Sequence, residues 1–425
     1  MKPTVLIATT SRWFPTARLA MALAGAGCLV DAVCPARHPL GRMRTVRRVY
    51  AYRGLLPLKS FAEGIANSKP DVIVPGDDLA TCHLHHLYDQ ERKRGKSGYW
   101  ICELIERSLG ASESFRVVYE RTAFMGLARE LGIRAPKTEV IANISDLRKW
   151  VARVGLPTVL KANGTSGGEG VRVAHTLEDA ERDFRTLEAP PLLARAAKRA
   201  LVDQDKSLVW PSLLRHRSVV NAQTFVAGHE ATSTVACWKG AVLATLHFEV
   251  VSKSSSAGPS SVVRLIENAE MSEAVEKMVR RLKLSGLHGF DFMLEAHTGD
   301  AHLIEVNPRT TQVGHLTLGP GHDLPAALAA AVTGSGIQHA RKITENITIA
   351  LFPQEWTRDP ASPFIRSGYH DVPWEEPELV RACIQKALKQ NSWKMRQNTE
   401  QAIADNRSAN LPSLIKPKLN EPRHE

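Results

Sequence analysis

Two short apolar segments near residue 300 constrain the fold of this chain more than any other feature. Residues 289–294 alternate apolar and other side chains, which predicts a β-strand with Asp291 on the face opposite the apolar ones. A short Thr-Gly-Asp turn leads to residues 303–309, a second predicted strand that carries Glu305 and Asn307. The resulting hairpin brings two carboxylates and an amide oxygen together, a ligand set that suits Mg²⁺. An ordinary solvated hairpin face with surface acids is the alternative.

A glycine-rich loop follows a predicted strand earlier in the chain. Residues 156–161 predict a strand that ends at Lys161, residues 162–170 hold four glycines, and residues 171–174 resume the strand. Backbone N–H groups of such a loop can close over an anion, and Lys161 can reach a phosphate. The loop is not a Walker A motif, because no Gly-Lys-Ser/Thr follows it. A merely flexible hairpin loop is the alternative.

The order of predicted elements indicates a mixed architecture. Residues 3–8, 15–27 and 28–34 read as strand, helix and strand, which favours an open parallel α/β sheet. The first strand–helix turn, residues 9–12, lacks GxGxxG and so argues against a dinucleotide site. A later Gly-Asp-Asp at residues 76–78 follows a strand end, where it forms either a substrate contact or a plain turn. Three further strands between residues 219 and 250 predict an antiparallel meander.

Composition narrows the compartment and the partners. The chain has no apolar run near the roughly 20 residues that span a bilayer, so we expect no membrane association. Six scattered cysteines without a CxxC pair indicate a reducing compartment, which predicts a cytoplasmic protein. The net charge of +11 owes much to residues 37–59, yet no nucleic-acid-binding motif accompanies them, so we expect no nucleic-acid partner. A Cys-His-Leu-His-His run at residues 82–86 is a weak metal candidate, because no second ligand pair matches it.

Together, the glycine loop after a lysine and the late Asp…Glu-x-Asn hairpin resemble the ATP-grasp superfamily, in particular the ATP-binding domain of carbamoyl-phosphate synthetase large chains. The resemblance implies an α/β and α+β fold in which two subdomains clamp ATP behind a Rossmann-like parallel sheet. It divides the chain into an N-terminal domain (1–112), an ATP-grasp domain (113–350) and a C-terminal extension with a disordered tail (351–425).

The resemblance also implies a role for each matching residue. Lys161 and Arg309 would act in catalysis, and Asp291, Glu305 and Asn307 would bind metal. The nucleotide contacts would come from the glycine loop, a hinge for adenine and an acid for the ribose. These residues are Arg121, Lys161, Gly167, Gly168, Gly170, Gln223, Phe225, Val226 and Glu230.

The activity implied by the resemblance is that of an ATP-dependent ligase. Such an enzyme activates a small-molecule carboxylate as an acyl phosphate for attack by an amine, with ATP and Mg²⁺ (or Mn²⁺) as cofactors. The chain has a single ATP-grasp unit, no biotinyl signal and a different continuation at residues 310–315, which argues against complete carbamoyl-phosphate synthesis and biotin carboxylation. An ATP-binding sensor or scaffold and a small-molecule kinase are the alternatives. A homo-oligomer is compatible with the sequence, which does not identify the substrates.

Overall fold

The computed structural model describes residues 2–163, 170–189, 217–255, 258–337 and 342–385. Within these ranges the strands form three sheets of four, seven and four strands. The first sheet is parallel and the other two are almost entirely antiparallel. The predicted fold class, with a parallel sheet ahead of antiparallel ones, is confirmed.

The N-terminal sheet has the strand order β3-β2-β1-β4. Its strands are buried apolar segments except for the edge strand β3, and helices connect them as the alternating pattern predicts. Pro15 occupies the first turn of α1, where its missing N–H leaves no bond unmade. The elements are β1 (Thr4–Ala8), α1 (Pro15–Gly25), β2 (Leu29–Cys34), β3 (Val46–Ala51), α2 (Pro57–Ser68), β4 (Val72–Pro75), α3 (Asp78–Lys93) and α4 (Tyr99–Leu109).

The small sheet, with strand order β5-β8-β6-β7, follows helix α5 (Arg121–Glu130). Two amphipathic helices pack on it, and the buried Trp150 donates its indole N–H to the Thr158 hydroxyl at 2.8 Å. The elements are β5 (Thr138–Ile141), α6 (Ile144–Val154), β6 (Thr158–Ala162), β7 (Val171–Ala174), α7 (Leu177–Glu188) and β8 (Val220–Thr224).

The large sheet has the order β13-β12-β9-β10-β11-β14-β15, in which only the last pair of strands is parallel. The central strands follow the meander that the sequence predicts. The elements are β9 (Gly228–Trp238), β10 (Ala241–Lys253), β11 (Ser260–Ile266), α8 (Ala269–Leu282), β12 (Gly286–Glu295), β13 (Ala301–Asn307), α9 (Leu324–Thr333), β14 (Thr348–Leu351), α10 (Gln354–Arg358), α11 (Pro363–Ser367) and β15 (Tyr369–Asp371).

One hydrophobic core joins the N-terminal sheet to the large sheet. Ile7 of β1, Leu246 of β10 and Leu328 of α9 are all buried in it. The predicted domain boundary after residue 350 falls at the end of β14, and β15 adds a strand to the same sheet beyond it. The predicted disordered tail overlaps residues 386–425, which lie outside the described residues.

No helix in the described ranges is both long and apolar enough to cross a membrane.

Candidate active site

The predicted metal-binding hairpin forms from β12 and β13, with Asp291 directly opposite Glu305 and Gly289 opposite Asn307. The pairing then steps from Asp291–Glu305 to Phe292–Leu303, which leaves Ile304 as a β-bulge. Strict alternation would place Leu303 on the same face as Glu305. The bulge instead puts Leu303 in the core and keeps Glu305 and Asn307 on the acidic face.

Hydrogen bonds order the acidic face. Asp291 accepts one from the Thr232 hydroxyl at 3.0 Å and one from the Asn307 amide nitrogen at 2.9 Å. The Asn307 amide oxygen accepts a hydrogen bond from Arg309 at 3.1 Å. The side-chain amide of Asn307 must therefore rotate, exchanging its nitrogen and oxygen, before the oxygen can join the two carboxylates as a metal ligand.

Two cationic side chains from other elements meet these carboxylates. Arg121, at the start of α5, forms an ion pair with Glu305. Lys161 projects from β6 of the small sheet and is only 5% exposed. Burial lowers the Lys161 pKa to about 8, against the opposing influence of the Glu305 carboxylate. The structure thus brings together residues that are up to 184 positions apart in the chain.

The two carboxyl groups differ in their affinity for protons. Burial, and then the charge of Glu305, raise the Asp291 pKa to about 6. Burial acts in the same direction on Glu305, but Arg121 and Lys161 outweigh it and lower the Glu305 pKa to about 2. Because burial and the charge of Glu305 both raise the Asp291 pKa, a cation bound between the two carboxyl groups would favour the ionised form of Asp291. The oxygen donors fit Mg²⁺, which would supply positive charge to the phosphates of a bound nucleotide.

The residues predicted to hold adenine lie where β8 ends and the chain crosses to β9. The Gln223 side chain is buried and donates to the Thr138 hydroxyl at 3.0 Å, so its amide ties two strands together. Phe225 and Val226 follow β8 in irregular backbone, and Phe225 is 39% exposed. Their predicted backbone contacts to a nucleotide stay predictions.

The remaining predicted nucleotide contacts lie on β9 and in the glycine-rich loop. Glu230 on β9 is exposed and pairs with the Lys253 ammonium at 2.7 Å, so a ribose would compete with this lysine. Gly170 closes the glycine loop, and its carbonyl accepts a hydrogen bond from Ala162 at 2.9 Å. Gly167 and Gly168 lie outside the described residues.

Arg309 lies at the junction with the N-terminal sheet. Besides Asn307, its guanidinium donates to the Thr310 carbonyl at 3.0 Å and contacts the Asp78 carboxylate at 3.2 Å. The guanidinium carbon is 5.1 Å from the ring centre of Trp13. Sequence reasoning did not single out Trp13, and it left Asp78 between a substrate contact and a turn.

The neighbouring Asp77 has a structural role. It caps α3 by accepting from the Ala80 N–H at 2.9 Å, and it also accepts from the Thr9 hydroxyl at 2.6 Å and the Thr10 N–H at 2.7 Å. These bonds join the turn after β1 to the turn after β4. The contacts of Asp77 favour the plain-turn interpretation for this residue.

The Cys-His run on α3 does not converge on a metal. His85 stacks on Phe115 with ring centres 3.7 Å apart, whereas His83 lies against Tyr52. The part of the chain that the structure describes contains no group of three or more His, Cys, Asp or Glu side chains placed to hold a metal ion. The magnesium candidate on the hairpin has two carboxylates and an asparagine instead.

This architecture, with an acidic hairpin facing a lysine from a second antiparallel sheet, defines the ATP-grasp class. Residues 120–337, more than half of the chain, match the family of the ATP-binding domain of the carbamoyl-phosphate synthase L chain. The chain belongs to this family. The matched range includes the hairpin, Lys161, Arg121 and Arg309.

Curated relatives include carbamoyl phosphate synthase large chains from two archaea. That of Methanothermobacter thermautotrophicus is 24% identical over 266 residues, which cover 60% of this chain and 22% of the relative. That of Methanoculleus marisnigri is 23% identical over 312 residues, which cover 70% of this chain and 26% of the relative. The chain therefore spans about a quarter of the length of these relatives.

Solved structures show the same fold at low sequence identity. N5-carboxyaminoimidazole synthetase from Staphylococcus aureus is 14% identical with a TM-score of 0.55, covering 80% of this chain and 79% of that one. Biotin carboxylase from Campylobacter jejuni is 14% identical with a TM-score of 0.57, covering 82% and 74%. The predicted ATP-grasp fold is confirmed by these similarities.

Proposed function

We propose that this protein is a cytoplasmic, ADP-forming ligase that joins a small-molecule carboxylate to an amine. A carboxylate oxygen of the substrate attacks the γ-phosphorus of ATP, and the bond to the β–γ bridging oxygen breaks to release ADP. The amine nitrogen then attacks the acyl carbon, phosphate leaves, and the amine loses a proton. Phosphoryl transfer of this kind depends on positioning and charge neutralisation rather than on a protein nucleophile.

The observation that carries the proposal is the convergence of Arg121 and Lys161 on the paired carboxylates Asp291 and Glu305. Arg121 and Lys161 would bind the phosphate oxygens of ATP. Asp291, Glu305 and a reoriented Asn307 would hold Mg²⁺. The ion pair of Arg121 with Glu305 supports this assignment, since a bound nucleotide and metal offer each partner an equivalent counter-charge.

Arg309 would hold the acyl phosphate. Its guanidinium is adjacent to Asn307 and faces the N-terminal sheet, and open sheets bind substrates at the carboxyl ends of their strands. This position supports an acyl substrate bound between the two sheets, with the nucleotide bound on the side of Lys161. The residues that select the carboxylate and the amine would then belong largely to the N-terminal domain.

The test measures ADP and phosphate release from Mg-ATP against pooled carboxylates, including bicarbonate, and pooled amines. We expect release that requires both a carboxylate and an amine, and we expect Lys161→Ala and Glu305→Ala to abolish it. Lys149→Ala and Glu139→Ala are matched controls, because both side chains are exposed surface partners of other ion pairs. Circular dichroism verifies that each variant is folded.

Three results would contradict the proposal. Full turnover in both site variants would exclude the residue assignment. A stable phosphorylated product formed without an amine would identify a kinase. Tight Mg-ATP binding without turnover in any pool would identify an ATP sensor or scaffold.

A further inference from the structure

Two residues that follow strands of the N-terminal sheet, Trp13 and Asp78, contact the Arg309 guanidinium. We propose that Trp13 and Asp78 are positioning residues that fix the Arg309 guanidinium for the ligase reaction. The inference rests on the proposed function for the role of Arg309, but the geometry of the three residues can be tested separately. Trp13 and Asp78 lie outside residues 120–337, which match the family model.

All three guanidinium nitrogens of Arg309 have a partner. Nε contacts Asp78 at 3.2 Å, Nη1 donates to the Thr310 carbonyl at 3.0 Å, and Nη2 donates to the Asn307 amide oxygen at 3.1 Å. These partners fix the plane of the group, because a guanidinium is rigid and its N–H directions are set. The contacts with Asp78 and with the Thr310 carbonyl do not depend on the orientation of the Asn307 amide. When that amide turns its oxygen towards a metal, Nη2 can donate to an anionic substrate instead.

Trp13 covers one face of the same guanidinium, at 5.1 Å from its ring centre. The arginine side chain is only 14% exposed, so this contact is partly desolvated and correspondingly favourable. An anion can therefore approach Arg309 from the edge or from the uncovered face. The tryptophan thus restricts the direction from which a carboxylate or acyl phosphate is bound.

The N-terminal sheet holds these two residues in a fixed relation. Trp13 lies in the turn after β1, and Asp78 is the first residue of α3 after β4. Asp77 bonds to both turns, as described above. In addition, the Thr81 hydroxyl donates to the Pro308 carbonyl at 2.8 Å and anchors the backbone immediately before Arg309. The Arg309 side chain and the backbone before it therefore both contact segments that follow strands of the N-terminal sheet.

The first arm of the test is nuclear magnetic resonance of the full chain with isotopically labelled arginine. The Nε–Hε signal of Arg309 is assigned by its absence in Arg309→Lys. We expect a slowly exchanging, ring-shifted signal in the wild type. Trp13→Leu should remove the ring shift, and Asp78→Asn should accelerate exchange. Unchanged signals in both variants would overturn the proposal.

The second arm is steady-state kinetics with the substrates found by the ligase assay. We expect Trp13→Leu and Asp78→Asn to lower kcat at least tenfold, because small displacements of a catalytic group have large effects, while the KM for ATP stays unchanged. Trp13→Phe retains an aromatic face and should recover part of the loss. Equal losses in Trp13→Phe and Trp13→Leu, or an unchanged kcat in all three variants, would overturn the positioning role.

The chain offers a matched control for each substitution. Asp146→Asn alters an acid in the first turn of α6, as Asp78 is in the first turn of α3. The Asp146 side chain is 38% exposed and that of Asp78 is 35% exposed, and each contacts a basic side chain. Trp374→Leu alters a tryptophan that is 72% exposed. Both controls should keep full activity. If the wild type shows no ligase turnover, the proposed function fails, and the Arg309 signal still decides whether Trp13 and Asp78 hold this side chain.

Discussion

Replacing Asp371 with asparagine should destabilise the protein strongly. Asp371 on β15 is 1% exposed, and it forms an ion pair with Arg18 of α1 and a 2.6 Å contact with the buried His315. Burial acts to raise the Asp371 pKa, but His315 and Arg18 outweigh it and lower the pKa to about 2. The carboxylate is therefore ionised at neutral pH. Of its two buried partners Arg18 carries the counter-charge, because burial lowers the His315 pKa and keeps the imidazole neutral.

The magnitude follows from two separate considerations. The drop in pKa from 3.8 to about 2 corresponds to at most about 2 kcal/mol of net favourable interaction at neutral pH, because part of the drop requires a protonated His315, whose own pKa is lowered by burial. Asparagine also leaves the buried Arg18 without a counter-charge, and breaking a buried pair in this way typically costs about 3–5 kcal/mol. We therefore expect a loss of about 3–5 kcal/mol in the free energy of unfolding at neutral pH. Because the Asp371 pKa is lowered by folding, the stabilisation by the ionised carboxylate is complete above about pH 4 and is lost as the pH falls towards 2.

The assay is urea unfolding at pH 7, combined with amide hydrogen exchange in β15 to locate the loss. Asp89→Asn on the exposed side of α3 is the control and should change little. In the double variant Arg18→Met/Asp371→Leu both charges are gone, so it should be more stable than Asp371→Asn. A loss below 1 kcal/mol for Asp371→Asn, or a double variant less stable than the single one, would contradict a stabilising buried ion pair at this position.

Two further predictions concern the acidic hairpin and the pH dependence of stability. In Gly289→Ala the new Cβ would lie 2.2 Å from a methyl carbon of Thr311. We therefore expect the free energy of unfolding, measured by thermal unfolding, to fall by about 1–3 kcal/mol, and we expect turnover to fall as well. The control Gly126→Ala places its Cβ in open space on α5 and should not destabilise the protein. Burial lowers the His247 pKa to about 4, below the 6.5 of an unfolded histidine, so the unfolded state binds the extra proton and stability falls as the pH drops. Between pH 7.5 and pH 5 this histidine should account for about 2 kcal/mol of the decrease in the free energy of unfolding measured by urea titration. In His247→Gln the decrease should be smaller by that amount. An equal decrease in the wild type and the variant would contradict the assignment.

The sequence predicted elements best where its periodicity was strong. The alternation around Asp291 indicated the strand and its acidic face. The sequence did not predict the bulge at Ile304, since an extra residue is visible only when the partner strand is in place. Without that bulge, Leu303 would leave the core.

Some residues assigned by resemblance have contacts that the sequence did not indicate. Gln223, predicted as part of the adenine hinge, has a buried side chain that bonds to Thr138, and its role in nucleotide binding stays a prediction. Glu230 forms an ion pair with Lys253, which no local sequence pattern predicts. Both contacts join residues at least 23 positions apart, so only the folded sheets define them.

Strand alternation and turn residues are local properties, so the amino-acid pattern was enough to predict the acidic hairpin and the order of parallel and antiparallel sheets. Which charged side chains meet depends on the packing of distant segments. Arg121 reaches Glu305, Asp371 reaches Arg18, and Trp13 covers Arg309. These contacts depend on how three sheets pack, and packing is set by the whole buried core rather than by any segment of the chain.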